Sequence, residues 1–128
     1  MQFKYPHLEA ELKSAHPTLR VVVDWADGYV KAAKKPELTI THVRRSRAES
    51  IKLYGEDVFS AHRLQISRAA DCRTNQWPTA FTEELVKMLN RQFKRPDNLP
   101  TALFHPGASG SPHLHLQVQS TGREVIAE

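Results

Sequence analysis

The sequence predicts an α+β domain: a small, mostly antiparallel sheet with flanking helices. Three observations carry this. Helical and strand periods both occur, but without the regular strand–helix alternation of a parallel α/β fold. The strand-like runs are short, and the last two face each other across a Gly/Ser/Pro loop, as hairpin strands do. At 128 residues, with 40% hydrophobic and 25% charged side chains, the chain suits one core and is expected to form a single domain over 1–128.

In chain order, "HLEAELKSAHP" (7–17) reads as a short helix stopped before Pro17, because proline disfavours helical geometry in the residue ahead of it. In 19–35, Leu19, Val22, Val23, Ala26, Val30 and Ala33 fall on one helical face. "ELTITHVRRS" (37–46) alternates and is β-branched, so it predicts a strand. The segment 46–55 predicts a helix with Ser46 as N-cap, Glu49 completing a capping box and Gly55 as the stop. "SRAADCR" (67–73) predicts a strand of small residues. The segment 79–93 is the clearest helix, capped by Thr79 or Thr82, with Phe81, Leu85, Met88, Leu89 and Phe93 as its core stripe. "KRPDNLP" (94–100) is a loop. "TALFH" (101–105) and "HLHLQV" (113–118) are then paired strands.

Composition limits the function. The only cysteine, Cys72, excludes an internal disulfide and a multi-cysteine zinc site, so a bound metal would need His, Asp or Glu ligands. No apolar run approaches the roughly 20 residues of a membrane span. "MQFKYPHLEAELK" lacks a signal peptide's apolar centre, so the protein is expected to be cytoplasmic as synthesised. A net charge of +4 and an isoelectric point near 9.4 favour an anionic partner, such as a wall polymer or nucleic acid. The basic residues are scattered apart from "VRRSR" (43–47), and the aromatic interleaving of nucleic-acid binders is missing.

Strand side chains alternate, so Leu114, Leu116 and Val118 share one face of the last strand and His113, His115 and Gln117 the other. The aliphatic face belongs to the core. The polar face has two plain readings, a solvated surface or a histidine bonded to a backbone carbonyl. A third reading is a metal or catalytic site. Of the seven histidines, His7 and His16 are expected at the surface, and His42 in the core or behind a ligand. His62 is followed by Asp71, a carboxylate closing a run of small residues, whose charge a cation would stabilise. Two imidazoles, one carboxylate and a water form a common catalytic zinc sphere.

At these residues the chain resembles the zinc peptidases that include D-alanyl-D-alanine carboxypeptidases, D-Ala-D-Ala dipeptidases and phage L-alanyl-D-glutamate endopeptidases. The resemblance rests on Ser60-Ala61-His62 followed by Ser67-Arg68-Ala69-Ala70-Asp71, on His113-Leu114-His115, and on Arg44-Arg45-Ser46 upstream, and it spans about residues 37–118. Three features depart from the family pattern. Eight residues separate His62 from Asp71 where six are usual, Ser67 replaces a glycine, and Pro112 stands where many relatives keep an acidic catalytic residue.

The resemblance implies a hedgehog/DD-peptidase-like fold, with Zn2+ held by His62, Asp71 and His115. It implies His113 as the proton-transferring group or oxyanion partner, and Arg45 as the anchor for a substrate carboxylate or the scissile carbonyl. Behind the ligands, Ser60 would orient His62 or cap a turn. His105, on the neighbouring strand, would lie behind the ligands too or be purely structural, and Cys72, opposite in strand orientation to Asp71, is expected in the core. The substrate would be a peptidoglycan peptide, cut by a phage-type lytic enzyme acting on the wall after release, or by a cytoplasmic peptidase. The rivals are a non-catalytic zinc-binding module of the same fold, a basic nucleic-acid-binding protein, and a metallohydrolase of phosphate esters.

Overall fold

The computed structural model describes residues 1–107 and 111–128. The loop expected at 106–112 therefore lies partly outside the described residues. The described elements are β1 (Gln2–Phe3), α1 (His7–Lys13), α2 (Pro17–Ala32), β2 (Thr39–His42), α3 (Arg47–Tyr54), a single 3-10 turn (Ala61–Arg63), β3 (Ala69–Arg73), α4 (Thr79–Gln92), β4 (Ala102–His105) and β5 (His113–Gln117). The strands form one five-stranded sheet in the order β1-β2-β3-β5-β4.

The α+β expectation holds, with one correction: the sheet is mixed. β2–β3, β3–β5 and β4–β5 pair antiparallel, whereas β1 runs parallel to β2 through Gln2–Thr39 and Phe3–Ile40. β1 has two residues, too few to show any hydrophobic period in the sequence. β2 is also shorter than the predicted 37–46. After His42 the backbone leaves the sheet because its polar groups find other partners: the Arg45 N–H donates to the carbonyl of His62 at 2.7 Å.

α2 begins at Pro17, two residues ahead of the predicted start. Proline suits the first helical position, and the ring of His16 accepts a hydrogen bond from the Thr18 N–H at 3.1 Å as the N-cap. The helix buries Leu19, Val22, Val23, Ala26 and Val30, of which the leucine and the valines each contribute about 1.5–3 kcal/mol by leaving water. α4 buries Phe81, Leu85 and Leu89, while Met88 and Phe93 are half-buried. Neither threonine caps it. Pro78 is the N-cap, Thr79 is already helical, and Thr82 is buried in the first turn. Asn90 docks this helix on β4 by accepting from the Ala102 N–H (2.8 Å) and donating to the Ala102 carbonyl (3.0 Å).

These two helices share one core with Ile40, Ala70, Cys72, Ala102, Leu114 and Leu116 of the sheet. α3 is different, since only Ser50 is buried. Its ends hold it. The Ser46 hydroxyl accepts from the Glu49 N–H, the Glu49 carboxylate accepts from the Ser46 N–H, and Gly55 closes the helix at φ +80°. Among the described residues, no helix is long and apolar enough to cross a membrane.

Candidate metal centre

The sheet's second face carries the site. Asp71 lies between Ala70 and Cys72, both fully buried in the core, so its side chain points the other way. His115 sits directly opposite Asp71 on β5, and His42 opposite it on β2. The burial of β5 alternates as the sequence predicts, with Leu114 and Leu116 inside and His113, His115 and Gln117 half-buried. His62 arrives from outside the sheet, on the 3-10 turn, and is 3% exposed.

The three side chains meet on one oxygen. Asp71 Oδ1 is 2.8 Å from His115 Nδ1 and 3.3 Å from His62 Nε2. One candidate ligand atom from each of the three lies within 4.8 Å of the other two. The far side of each ring is anchored. His62 Nδ1 lies 2.6 Å from the carbonyl oxygen of Val43, which can only accept, so that nitrogen carries the proton. His115 Nε2 stands 2.8 Å from Gln117 Oε1, likewise an acceptor. A neutral imidazole has one N–H, already used on the far side, so each near nitrogen turns a lone pair toward the same carboxylate. His62 Nε2 is buried and has no hydrogen-bond partner among the described residues. Lone pairs aimed at a carboxylate need a positive charge between them: a second ring proton or a cation.

The donor set fits a divalent metal. Two imidazole nitrogens and a carboxylate suit zinc, and a ligand histidine usually donates its other N–H to a carbonyl or carboxylate oxygen, as His62 does here. Burial alone would raise the Asp71 carboxyl, but the hydrogen bond from His115, made when that ring carries its second proton, and the nearby His62 ring hold it far below the usual carboxylate range, ionised as a ligand must be. Burial pulls His115 down, and Asp71 more than reverses this, so the ring is raised. His42 is lowered, by burial first. Its Nδ1 is 3.9 Å from Asp71 Oδ2, so it stands beside the trio rather than in the core.

Arg45 is buried beside the site. Its backbone N–H holds the His62 carbonyl, its Nη1 donates to the Tyr54 hydroxyl at 3.3 Å, and its guanidinium lies 5.5 Å from the centre of the Tyr54 ring. Its charge opposes protonation of His115 and His42. His113 shares the face of His115 but stands apart from the trio. Its Nδ1 donates to the Ser111 carbonyl at 3.0 Å, and its ring stacks on His105 at 4.7 Å between centroids. The His105 ring lies 6.4 Å from that of His115. Burial, then the neighbouring His113 and His115, lower the pKa of His105.

Ser60 precedes the 3-10 turn without capping it, and its buried hydroxyl has no partner among the described residues. The orienting role expected of Ser60 belongs to the Val43 carbonyl. Cys72 is fully buried in the core as expected, and burial pushes its thiol far up, leaving it inert. The segment joining His62 to Asp71, longer than in the resembling family, is laced to the chain's end: Leu64 bridges Ile126, and the Gln65 N–H donates to the Val125 carbonyl at 2.7 Å.

In the sequence, Gln117 is marked only by its two-residue spacing from His115 on the polar face of β5. A cavity of about 350 Å3 lies elsewhere, lined by His16, Arg68, Phe93 and Arg95 among others, and shares no residue with the trio. No protein-family model, no curated protein and no solved structure matches this chain.

Proposed function

We propose that the protein is a zinc-dependent peptidase of hedgehog/DD-peptidase-like fold that hydrolyses an amide bond in peptidoglycan peptides. The observation that supports this reading is the convergence of His62, Asp71 and His115, from two separated motif segments, on one carboxylate oxygen. Zinc held there supplies Lewis-acid chemistry, polarising an amide carbonyl and making water acidic enough to react near neutral pH. The chain's own residues do the rest. Val43 and Gln117 hold the two ligand rings in the required tautomers. His113, tied at Nδ1 to Ser111, keeps Nε2 available to take or give a proton. Arg45 engages one N–H with Tyr54 and retains further donors for a substrate carboxylate.

One observation favours a second reading, a non-catalytic zinc-binding module: Pro112 occupies the place of the family's usual acidic residue. Two experiments separate the readings. Metal content after purification is expected to be one zinc per chain in the wild type and to fall in His62→Ala. A wild type without zinc, or unchanged zinc in His62→Ala, would remove the site. Purified peptidoglycan is then digested with the zinc-loaded wild type and with His113→Ala. Cleavage by the wild type alone supports the peptidase, inertness of both supports the module, and equal cleavage by both removes His113 from the chemistry.

A further inference from the structure

Arg63 follows His62, and its side chain is 3% exposed, a burial that arginines reach almost only when paired. All its hydrogen bonding goes into the fold. Nε donates to Asp57 Oδ1 at 2.7 Å and Nη2 to Asp57 Oδ2 at 3.0 Å, a two-pronged grip on one carboxylate. Nη1 donates to the carbonyl of Arg45 at 3.2 Å and also to that of Ala127. The Arg63 backbone is fixed as well: its N–H donates to Ser60 at 2.9 Å, and its carbonyl accepts from the Ala127 N–H at 2.7 Å.

These bonds continue into the metal centre. The stretch 43–45 and the stretch 62–63 are joined by successive rungs: His62 Nδ1–H to the Val43 carbonyl, the Arg45 N–H to the His62 carbonyl, and Arg63 Nη1–H to the Arg45 carbonyl. His62 is the one member of the trio that no strand carries, so nothing in the sheet's hydrogen-bond ladder sets its place. The rungs do, and the last of them is fastened by Arg63.

We infer that Arg63, gripped by Asp57 and seated on the carbonyls of Arg45 and Ala127, is a positioning residue that aims His62 Nε2 at Asp71. The inference rests on the metal-centre reading above for its consequence. A guanidinium is required, because an ammonium cannot span a carboxylate and two carbonyls in one plane. Groups that orient metal ligands from behind typically change metal affinity about 10–100-fold when removed.

The test compares metal-free wild type with Arg63→Gln, Arg63→Lys, Asp57→Asn and the control Arg95→Gln, which breaks a similar two-pronged Arg95–Asp97 pair. Zinc affinity is measured at 25 °C by competition with a chromophoric chelator, with thermal unfolding alongside. Exchange of the His62 Nδ1 proton is followed by NMR in the metal-free proteins. Arg63→Gln is expected to weaken zinc binding about 10–100-fold and speed exchange of that proton, with Arg63→Lys failing to rescue and the control leaving both unchanged. Lowered melting with unchanged affinity and unchanged exchange would make Arg63 an ordinary structural residue and overturn the inference. If Arg63→Gln does not fold, Asp57→Asn decides by the same criteria. If the wild type binds no zinc, the metal reading fails, and the exchange of the His62 proton still decides whether Arg63 positions that ring.

Discussion

Asp71→Asn preserves the shape of the side chain and removes its charge. In the metal-free protein, where a second ring proton on His115 takes the place of a cation, the carboxylate is 9% exposed and lies 2.8 and 3.3 Å from imidazole nitrogens. A hydrogen bond to a charged group contributes about 1.5–3 kcal/mol. The longer contact adds little, and relief from burying a charge offsets part of the loss, so the expected cost is about 2 kcal/mol. Zinc at one hundred times its Kd stabilises the wild type by about 2.7 kcal/mol more, and the asparagine variant, which offers no carboxylate, gains none of it. The difference between the two proteins should therefore grow from about 2 to about 5 kcal/mol. Urea unfolding in chelator and in zinc reads this directly. With a slope of about 1–3 kcal/mol per molar urea, zinc should widen the separation of the midpoints by about 1–3 M. A separation that is the same in chelator and in zinc would refute the reasoning, because Asp71 would then be stabilising without being a ligand.

Glu124 tests the electrostatics away from the candidate metal centre. The Thr121 N–H, against a smaller opposing effect of burial and with the Ser120 hydroxyl assisting, lowers its carboxyl from 4.5 to about 2. A depressed folded pKa stabilises above the unfolded value and loses that contribution as pH falls through the folded one. Glu124→Gln should thus remove part of the fall in stability between pH 4.5 and 2, measured by urea midpoints across that range; an unchanged profile would reject the assignment. Ser46→Ala, which deletes half of the α3 capping box, should cost about 1 kcal/mol by thermal unfolding, and Ser46→Asp should recover most of it. Leu116→Ala, at a fully buried position, should cost about 2–5 kcal/mol in urea; a loss below 1 kcal/mol would mean that the β5 face packs less closely than described.

Where local chemistry decides structure, the sequence is readable. Ser46, Glu49 and Gly55 mark both ends of α3 without any help from tertiary packing. The alternation in His113–Gln117 separates the core face of β5 from the polar face. The motif resemblance points to His62, Asp71 and His115 as a trio, and the fold does bring them together. Backbone groups are harder to anticipate. The Val43 carbonyl holds His62, yet nothing about a valine announces it. β1 escapes notice because two residues have no period and their partner strand lies some 37 residues on. Two threonines near the start of α4 look like caps, but Pro78 already leads into the helix and leaves Thr82 to be buried. The grip of Arg63 on Asp57 spans a short irregular stretch and the 3-10 turn that ends it, where no pattern-based rule applies.

His42, Asp71 and His115 are cross-strand partners on three adjacent strands, and the consequence reaches into folding. A slip of β5 by a single residue would exchange its two faces, setting a leucine against Asp71 and driving imidazoles into the apolar interior. Zinc capture by His62, Asp71 and His115 would need the last two to be paired in this register, and would therefore act as a proofreading signal for strand pairing: only molecules aligned correctly across the sheet would retain the ion, and misaligned ones could be separated from them by metal-affinity alone.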